Sequence, residues 1–288
     1  MPEQVGQAVA RERLRARLVE LRRQSGLSPD EVTRRTHWSL SKLNRIETGA
    51  VTVQPLDAQA MVRLYGVDDP GEVAALTDLA VAARRRHWWS SFHLDSEMRD
   101  FIAYESVASL ITVYQALHIP DLLQTEAYAG MALTAAAGKK PDDPGVQHAL
   151  DLRMRRQAEF DARMRGAHPP QLLAVLDGAV LERRIGGGRV MRDQLDRLVD
   201  VVVEGHVRIV VVARRPGMIP GPGGGFELLG FAGAADPDVV FVESPVRNVL
   251  VRDRDVIAGY HDVADTLVGA GLTRDAAIKE IRQVRNNL

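Results

Sequence analysis

The sequence contains no cysteine, which excludes disulfides, thiolate nucleophiles and cysteine-ligated zinc. No apolar run approaches the roughly 20 residues needed to span a bilayer. Residues 1–20 are interrupted by Arg11, Glu12, Arg13, Arg15, Arg17 and Glu20, so neither a membrane helix nor a signal peptide is expected. A surplus of charge is missing too. Against 37 Lys and Arg stand 38 Asp and Glu, a net charge of -1, so any basic surface must be local. The 8 histidines are scattered, with no pair at metal-ligand spacing. No Gly-x-Ser-x-Gly elbow occurs, and the stretch Pro220–Gly225 lacks the Gly-Lys-Ser/Thr ending of a phosphate-binding loop. No catalytic residue, metal or cofactor is expected, and a cytoplasmic location is.

At 288 residues, two domains are the natural expectation. From Arg11 to Ala83 the pattern is helical, with breaks at Gly26, His37, Gly49 and Gly66. The composition shifts at Arg84-Arg85-Arg86-His87-Trp88-Trp89, which places an all-α domain at 1–83 and a second domain at 84–288. Helices are expected there over Glu97–Leu117, Gln124–Ala136 and the highly charged Asp143–Arg165. Beyond Pro169-Pro170, short runs rich in branched residues read as strands: Leu172–Leu176, Val207–Ala213, Phe226–Ala232, Val239–Glu243 and Asn248–Val251. Helices near Gly178–Arg184 and Val190–Val203, and two more at the end, make this domain α+β. Trp88 and Trp89, with Tyr104 and Tyr114, are candidates for a ligand pocket or an interdomain wedge; ordinary core is the plainer account of the tyrosines.

The informative segment is Gly26–Gly49. Ser28 can cap a first short helix, with Pro29 at its first position and Glu31 completing a capping box. Ser39 can cap a second, whose Leu43 and Ile46 point inward while Leu40, Ser41, Lys42, Asn44 and Arg45 form the outer face. Gly49 then ends it. Two short helices packed through a tight turn are what a helix-turn-helix requires. The outer face suits the major groove of duplex DNA: arginine pairs with guanine, asparagine with adenine, and serine with either. Between Arg11 and Gly49 ten basic side chains stand against five acidic ones, a local surplus suited to phosphates. Ser28, Ser39, Leu40, Ser41, Lys42, Asn44 and Arg45 are therefore the candidate DNA-contacting residues.

The Gly26-Leu27-Ser28 corner and the run Ser39 to Gly49 resemble the lambda-repressor-like, xenobiotic-response-element class of helix-turn-helix. That resemblance implies an ion pair between Arg22 and Glu47 tying the first helix to the recognition helix. Here His37 stands at the usual turn glycine and Thr33 at the usual small alanine. Ile119–Ala129, Arg155-Arg156-Gln157, Val175–Leu181 and Gly187–Leu195 are similar to segments of a large actinobacterial regulator family, with Asp121 at a position usually held by glycine. The resemblance implies a transcriptional regulator, many relatives being described as toxin–antitoxin-like and encoded beside a small partner protein. Operator DNA, a homodimer, and a ligand or small partner protein are thus the expected partners. The alternative is an antitoxin-like module that sequesters the partner and binds DNA for autoregulation.

Overall fold

The computed structural model describes residues 6–205, 207–212, 224–232, 237–244 and 246–288. Of the Pro220–Gly225 stretch, only Gly224 and Gly225 fall within them. The chain divides into two compact units, residues 1–93 and 94–288. The division thus follows the short turn of 3-10 helix Trp88–Ser91, whereas the sequence pattern places the junction at 83/84.

The N-terminal unit is all helical: α1 (Gln7–Gln24), α2 (Pro29–Thr36), α3 (Leu40–Glu47), α4 (Pro55–Leu64) and α5 (Pro70–Ala82). Leu14, Leu18 and Leu21 recur at helical spacing on α1 and meet Val32, Leu43, Ile46, Met61, Val62 and Leu76 in one core. Leu43, Met61 and Val62 are fully buried, and each such side chain stabilises the unit by about 1.5–3 kcal/mol relative to exposure. Five short helices are held by this shared core, because a helix of eight residues such as α3 is not stable alone.

The C-terminal unit is built on one mixed sheet. Its elements run α6 (Ser96–Glu105), β1 (Leu110–Gln115), α7 (Glu126–Ala137), α8 (Pro144–Met164), β2 (Gln171–Asp177), α9 (Gly178–Glu182), α10 (Gly187–Val203), β3 (Val207–Val212), β4 (Phe226–Gly230), β5 (Val239–Val242), β6 (Val249–Val251), α11 (Arg254–Ala270), β7 (Leu272–Thr273) and α12 (Arg274–Asn286). Strand order is β6-β5-β4-β1-β2-β3-β7. β1, β2 and β3 are parallel, and the remaining pairs are antiparallel. The α+β class holds, and so does a strand over each of the five runs expected.

One expectation is corrected. The helix read over Glu97–Leu117 stops at Glu105, and Leu110–Gln115 is the central strand β1. Its residues 111–114 are all buried, because helices cover both faces of the sheet. Period-two alternation is therefore absent, and a short apolar run of this kind reads equally as helix. Val240 faces a core with Ile257, Ala264 and Leu267 of α11, while its neighbour Phe241 stacks on Phe101 of α6 with ring centroids 4.1 Å apart.

Beside Phe101 lies a buried polar network. The Arg156 guanidinium donates to both carboxylate oxygens of Glu105, at 2.9 and 2.7 Å, and to Asp121 at 3.1 Å. Arg153 pairs with Asp121 at 3.1 Å and donates to Gln124 at 2.9 Å. Gln157 donates to the carbonyls of Asp121 and Gln124. Gln194 of α10 accepts from the Thr125 amide and donates to the Leu123 carbonyl. The segment Ile119–Thr125 is thereby fastened to α8 and α10. Asp121 keeps a negative φ, positive values outside glycine occurring only at His37 and Arg274 among the described residues, so the turn here does not require glycine. Desolvation pushes the Asp121 carboxyl up, but the Arg153 and Arg156 charges outweigh it and hold it below the ordinary range.

Glu227 on β4 lies opposite Val113 and Phe241, on the face of this network. Desolvation pushes it up to about 8; Arg156 opposes this, and Glu105, Asp121 and Glu243 add to it. A carboxyl whose folded pKa is raised contributes stability that is full below its unfolded value and is lost as pH rises through the folded value. We therefore expect the C-terminal unit to lose stability from about pH 5 to about pH 8, and Glu227→Gln to flatten that dependence. Urea unfolding monitored by far-ultraviolet circular dichroism checks it; a variant that keeps the wild-type slope contradicts it.

Candidate nucleic-acid interface

The geometry of residues 26–49 follows from local side-chain chemistry. Ser28 accepts from the Glu31 amide at 3.3 Å, and Glu31 in turn accepts from the Ser28 amide at 2.9 Å. This is a complete capping box, worth about 1 kcal/mol against alanine at the cap. The Ser28 backbone and hydroxyl hydrogen bonds hold the Glu31 carboxyl below its usual range. Pro29 follows at the first helical position. α2 ends at His37 with φ 55° and ψ 31°. The left-handed residue is thus supplied by histidine, one of the types that tolerates it. Ser39 caps α3 by accepting from the Lys42 amide at 3.2 Å.

The far end of α3 is anchored to α1. Arg22 forms a two-pronged ion pair with Glu47, Nε to Oε1 at 2.5 Å and Nη2 to Oε2 at 2.9 Å. It also donates to the Leu27 carbonyl at 3.2 Å. Both ion-paired side chains are 15% exposed, and the Glu47 hydrogen bond holds the Arg22 guanidinium above its usual value despite desolvation. Beneath the pair, burial pushes the Tyr65 phenol up, and the Glu47 charge adds to that. Arg15 donates to the Glu47 carbonyl at 3.1 Å and passes over Gly49, where a Cβ would meet its Cδ at 3.1 Å. Gly49 has φ +75°, so the position favours glycine on both counts.

With its ends fixed and with Leu43 and Ile46 buried, α3 presents Leu40, Ser41, Asn44 and Arg45 outward, all exposed. The side chains of Ser41, Asn44 and Arg45 have no hydrogen-bond partner or ion pair among the described residues. Ser39 is exposed as well and keeps its hydroxyl proton for a further acceptor. Lys42 also keeps to this face, its side chain 39% exposed, but it is engaged within its own domain. Its Nζ pairs with Asp57 of α4 at 2.9 Å and lies 3.7 Å from the centroid of the Trp38 ring. Sequence reasoning missed both this tie and the Arg15 bond, since neither partner is marked by spacing. Arg34 and Arg35 are exposed on α2, and the N-termini of α2 and α3 favour anions. The surface can thus offer cations and amides to a phosphate backbone, and forked donors to base edges.

The aromatic candidates fall in both units, one pair in each. Trp88 meets Trp89 and Phe92 edge-on, and His87 stacks on Trp89 at 4.3 Å, all within the N-terminal unit. Tyr104 and Tyr114 belong to the C-terminal unit. Tyr104 packs on Phe231, and Tyr114 on Phe226 in the core under α11. Both tyrosines are 3% exposed.

A family model described as a helix-turn-helix domain matches residues 13–76. A second, described as "Domain of unknown function (DUF5753)", matches residues 98–283, more than half of the chain. The chain belongs to the DUF5753 family. No curated protein and no solved structure matches it. In this DUF5753 protein the helix-turn-helix match covers the whole of α2 and α3, with Arg22 and Glu47. The N-terminal unit is therefore a helix-turn-helix domain, which supports DNA binding. The DUF5753 match begins in α6 and ends in α12, so it takes in the sheet and the network around Arg156. No helix among the described residues is long and apolar enough to cross a membrane, and no cluster of potential metal ligands occurs among them.

All three tryptophans of the chain lie in the N-terminal unit, so tryptophan fluorescence follows its unfolding alone. Arg22→Ala or Glu47→Ala should each destabilise it by on the order of 2 kcal/mol, below the 3–5 of a fully buried pair because both side chains keep some solvent contact. In a double-mutant cycle the two losses should be clearly less than additive. Additive losses would mean that the pair contributes no coupling.

Proposed function

We propose that this protein is a sequence-specific transcriptional regulator that reads operator DNA with α3 as a homodimer, while its C-terminal domain receives the controlling signal. The observation that carries the reading is an exposed row of uncommitted polar side chains, Ser41, Asn44 and Arg45, on a helix whose inner face and both ends are fixed. Arg45 is assigned to a guanine edge and Asn44 to an adenine. Ser28, Ser39 and the helix N-termini are assigned to phosphates, which position the reader without specifying sequence. Lys42, held by Asp57, is assigned the orientation of α3 more than a contact of its own.

One recognition helix reads only a few base pairs, so two copies engage half-sites about one helical turn apart. The signal is a small ligand or a small partner protein. It must favour one arrangement of the dimer over the other, since a ligand that binds both equally shifts nothing. The aromatic turn with Trp88 and Trp89 lies, in sequence, between reader and receiver, and is where such a shift would be transmitted. The similarity around Asp121 and Arg156 to antitoxin-like actinobacterial regulators makes a partner protein encoded nearby the first signal to seek. We propose no catalytic role, and a site of action in the cytoplasm, on the nucleoid.

The test is selection of random duplex DNA by the full chain, run beside a Ser41→Ala/Arg45→Ala variant. A two-fold-symmetric consensus is expected, lost in the double variant. Arg45→Ala alone should lose roughly 1–3 kcal/mol and relax one base position. No enrichment at moderate salt would overturn operator reading by the free protein and leave partner binding as the primary role.

A further inference from the structure

Leu40 is out of place on the face it occupies. It is the first residue of α3, directly after the Ser39 cap, and it is 46% exposed. The core does not need it: Leu43 and Ile46 fill the inner face at 0% and 2% exposure. Its neighbours one turn on are Asn44 and, beside it, Arg45, both exposed and polar. An apolar side chain in the first turn of a helix, where a helix-turn-helix brings side chains to base edges, has one natural complement in the major groove. That complement is the C5-methyl group of thymine, the only apolar group the groove displays.

We infer that Leu40 determines specificity by packing on a thymine methyl in each half-site. The inference rests on the reading of α3 as the recognition helix and adds to it the identity of one base. Position supports it further. Residues four apart lie above one another on a helix, so Leu40 shares a row with Asn44 while Ser41 shares the adjacent row with Arg45. The Asn44 amide and the Leu40 methyls therefore address neighbouring base pairs, and the thymine stands beside the adenine assigned to Asn44. Leucine offers a base no hydrogen bond, so cytosine, whose major-groove edge carries an amino donor and no methyl, leaves it without a complement.

The experiment uses the selected duplex with deoxyuridine replacing one thymidine at a time, which removes a methyl group and nothing else. Wild-type protein should bind about fourfold more weakly at one such position per half-site, the effect of one buried methyl. Leu40→Ala should bind thymine and uracil at that position equally. Leu40 is exposed, so the variant should keep the wild-type thermal midpoint, and melting followed by tryptophan fluorescence confirms that it folds. If every uracil is tolerated while Arg45→Ala still relaxes one position, α3 reads DNA and Leu40 does not read a methyl. If no duplex is selected, the reading of α3 itself fails, and the assignment of Leu40 fails with it.

Discussion

The ion pair between Arg22 and Glu47 is the constraint on which the outer face of α3 depends. α3 has eight residues and too few internal hydrogen bonds to hold a helix in water. Its N-terminus is held locally by Ser39, and its middle by Leu43 and Ile46. Its C-terminus is held from a distance, by Arg22 and Arg15 of α1. A forked, partly buried guanidinium–carboxylate contact fixes direction as well as distance. Once α1 fixes the far end of α3, the side chains that point away from the core have a defined orientation. That is what reading a base edge requires.

The C-terminal domain solves a related problem with the same chemistry in a drier setting. The segment Ile119–Thr125 buries Ile119, Leu122 and Leu123, and Arg153, Arg156, Gln157 and Gln194 clasp the carbonyls, an amide and the one carboxylate that go into the interior with them. Charges buried at this depth stabilise little on balance, because desolvation offsets their attraction. Their effect is on geometry: an Arg156 that must satisfy Glu105 and Asp121 together admits one placement of α8 over the sheet. Glu227 is the member of this face with no ion pair of its own among the described residues, and desolvation, opposed by Arg156, holds its carboxyl above the ordinary range.

What was legible in the sequence were the contacts made within a few residues. Ser28 with Glu31 and Ser39 with the Lys42 amide are decided inside one turn of chain, and residue type is enough to read them; the turn at His37 is legible through the family resemblance. The Arg22–Glu47 pair became visible through family resemblance, which carries long-range information that spacing does not. The ties of Lys42 to Asp57 and the Trp38 ring are not legible in the sequence, because nothing local announces either partner. β1 was read as helix because Ile111–Tyr114 are buried on both faces and the alternation that marks a strand is gone. α8 is legible as a highly charged helix, but the burial of Arg153 and Arg156 is decided by partners on other elements, Glu105, Asp121 and Gln124.

The central claim is that α3, held by α1, is the surface that meets DNA. Hydroxyl-radical labelling of side chains, read by mass spectrometry with and without the selected duplex, tests it most directly. The account predicts that DNA protects Leu40, Asn44 and Arg45 on α3, while Leu110 and Val256, exposed in the C-terminal unit, keep their reactivity. Unchanged labelling of α3, with protection appearing in residues 94–288 instead, would contradict it.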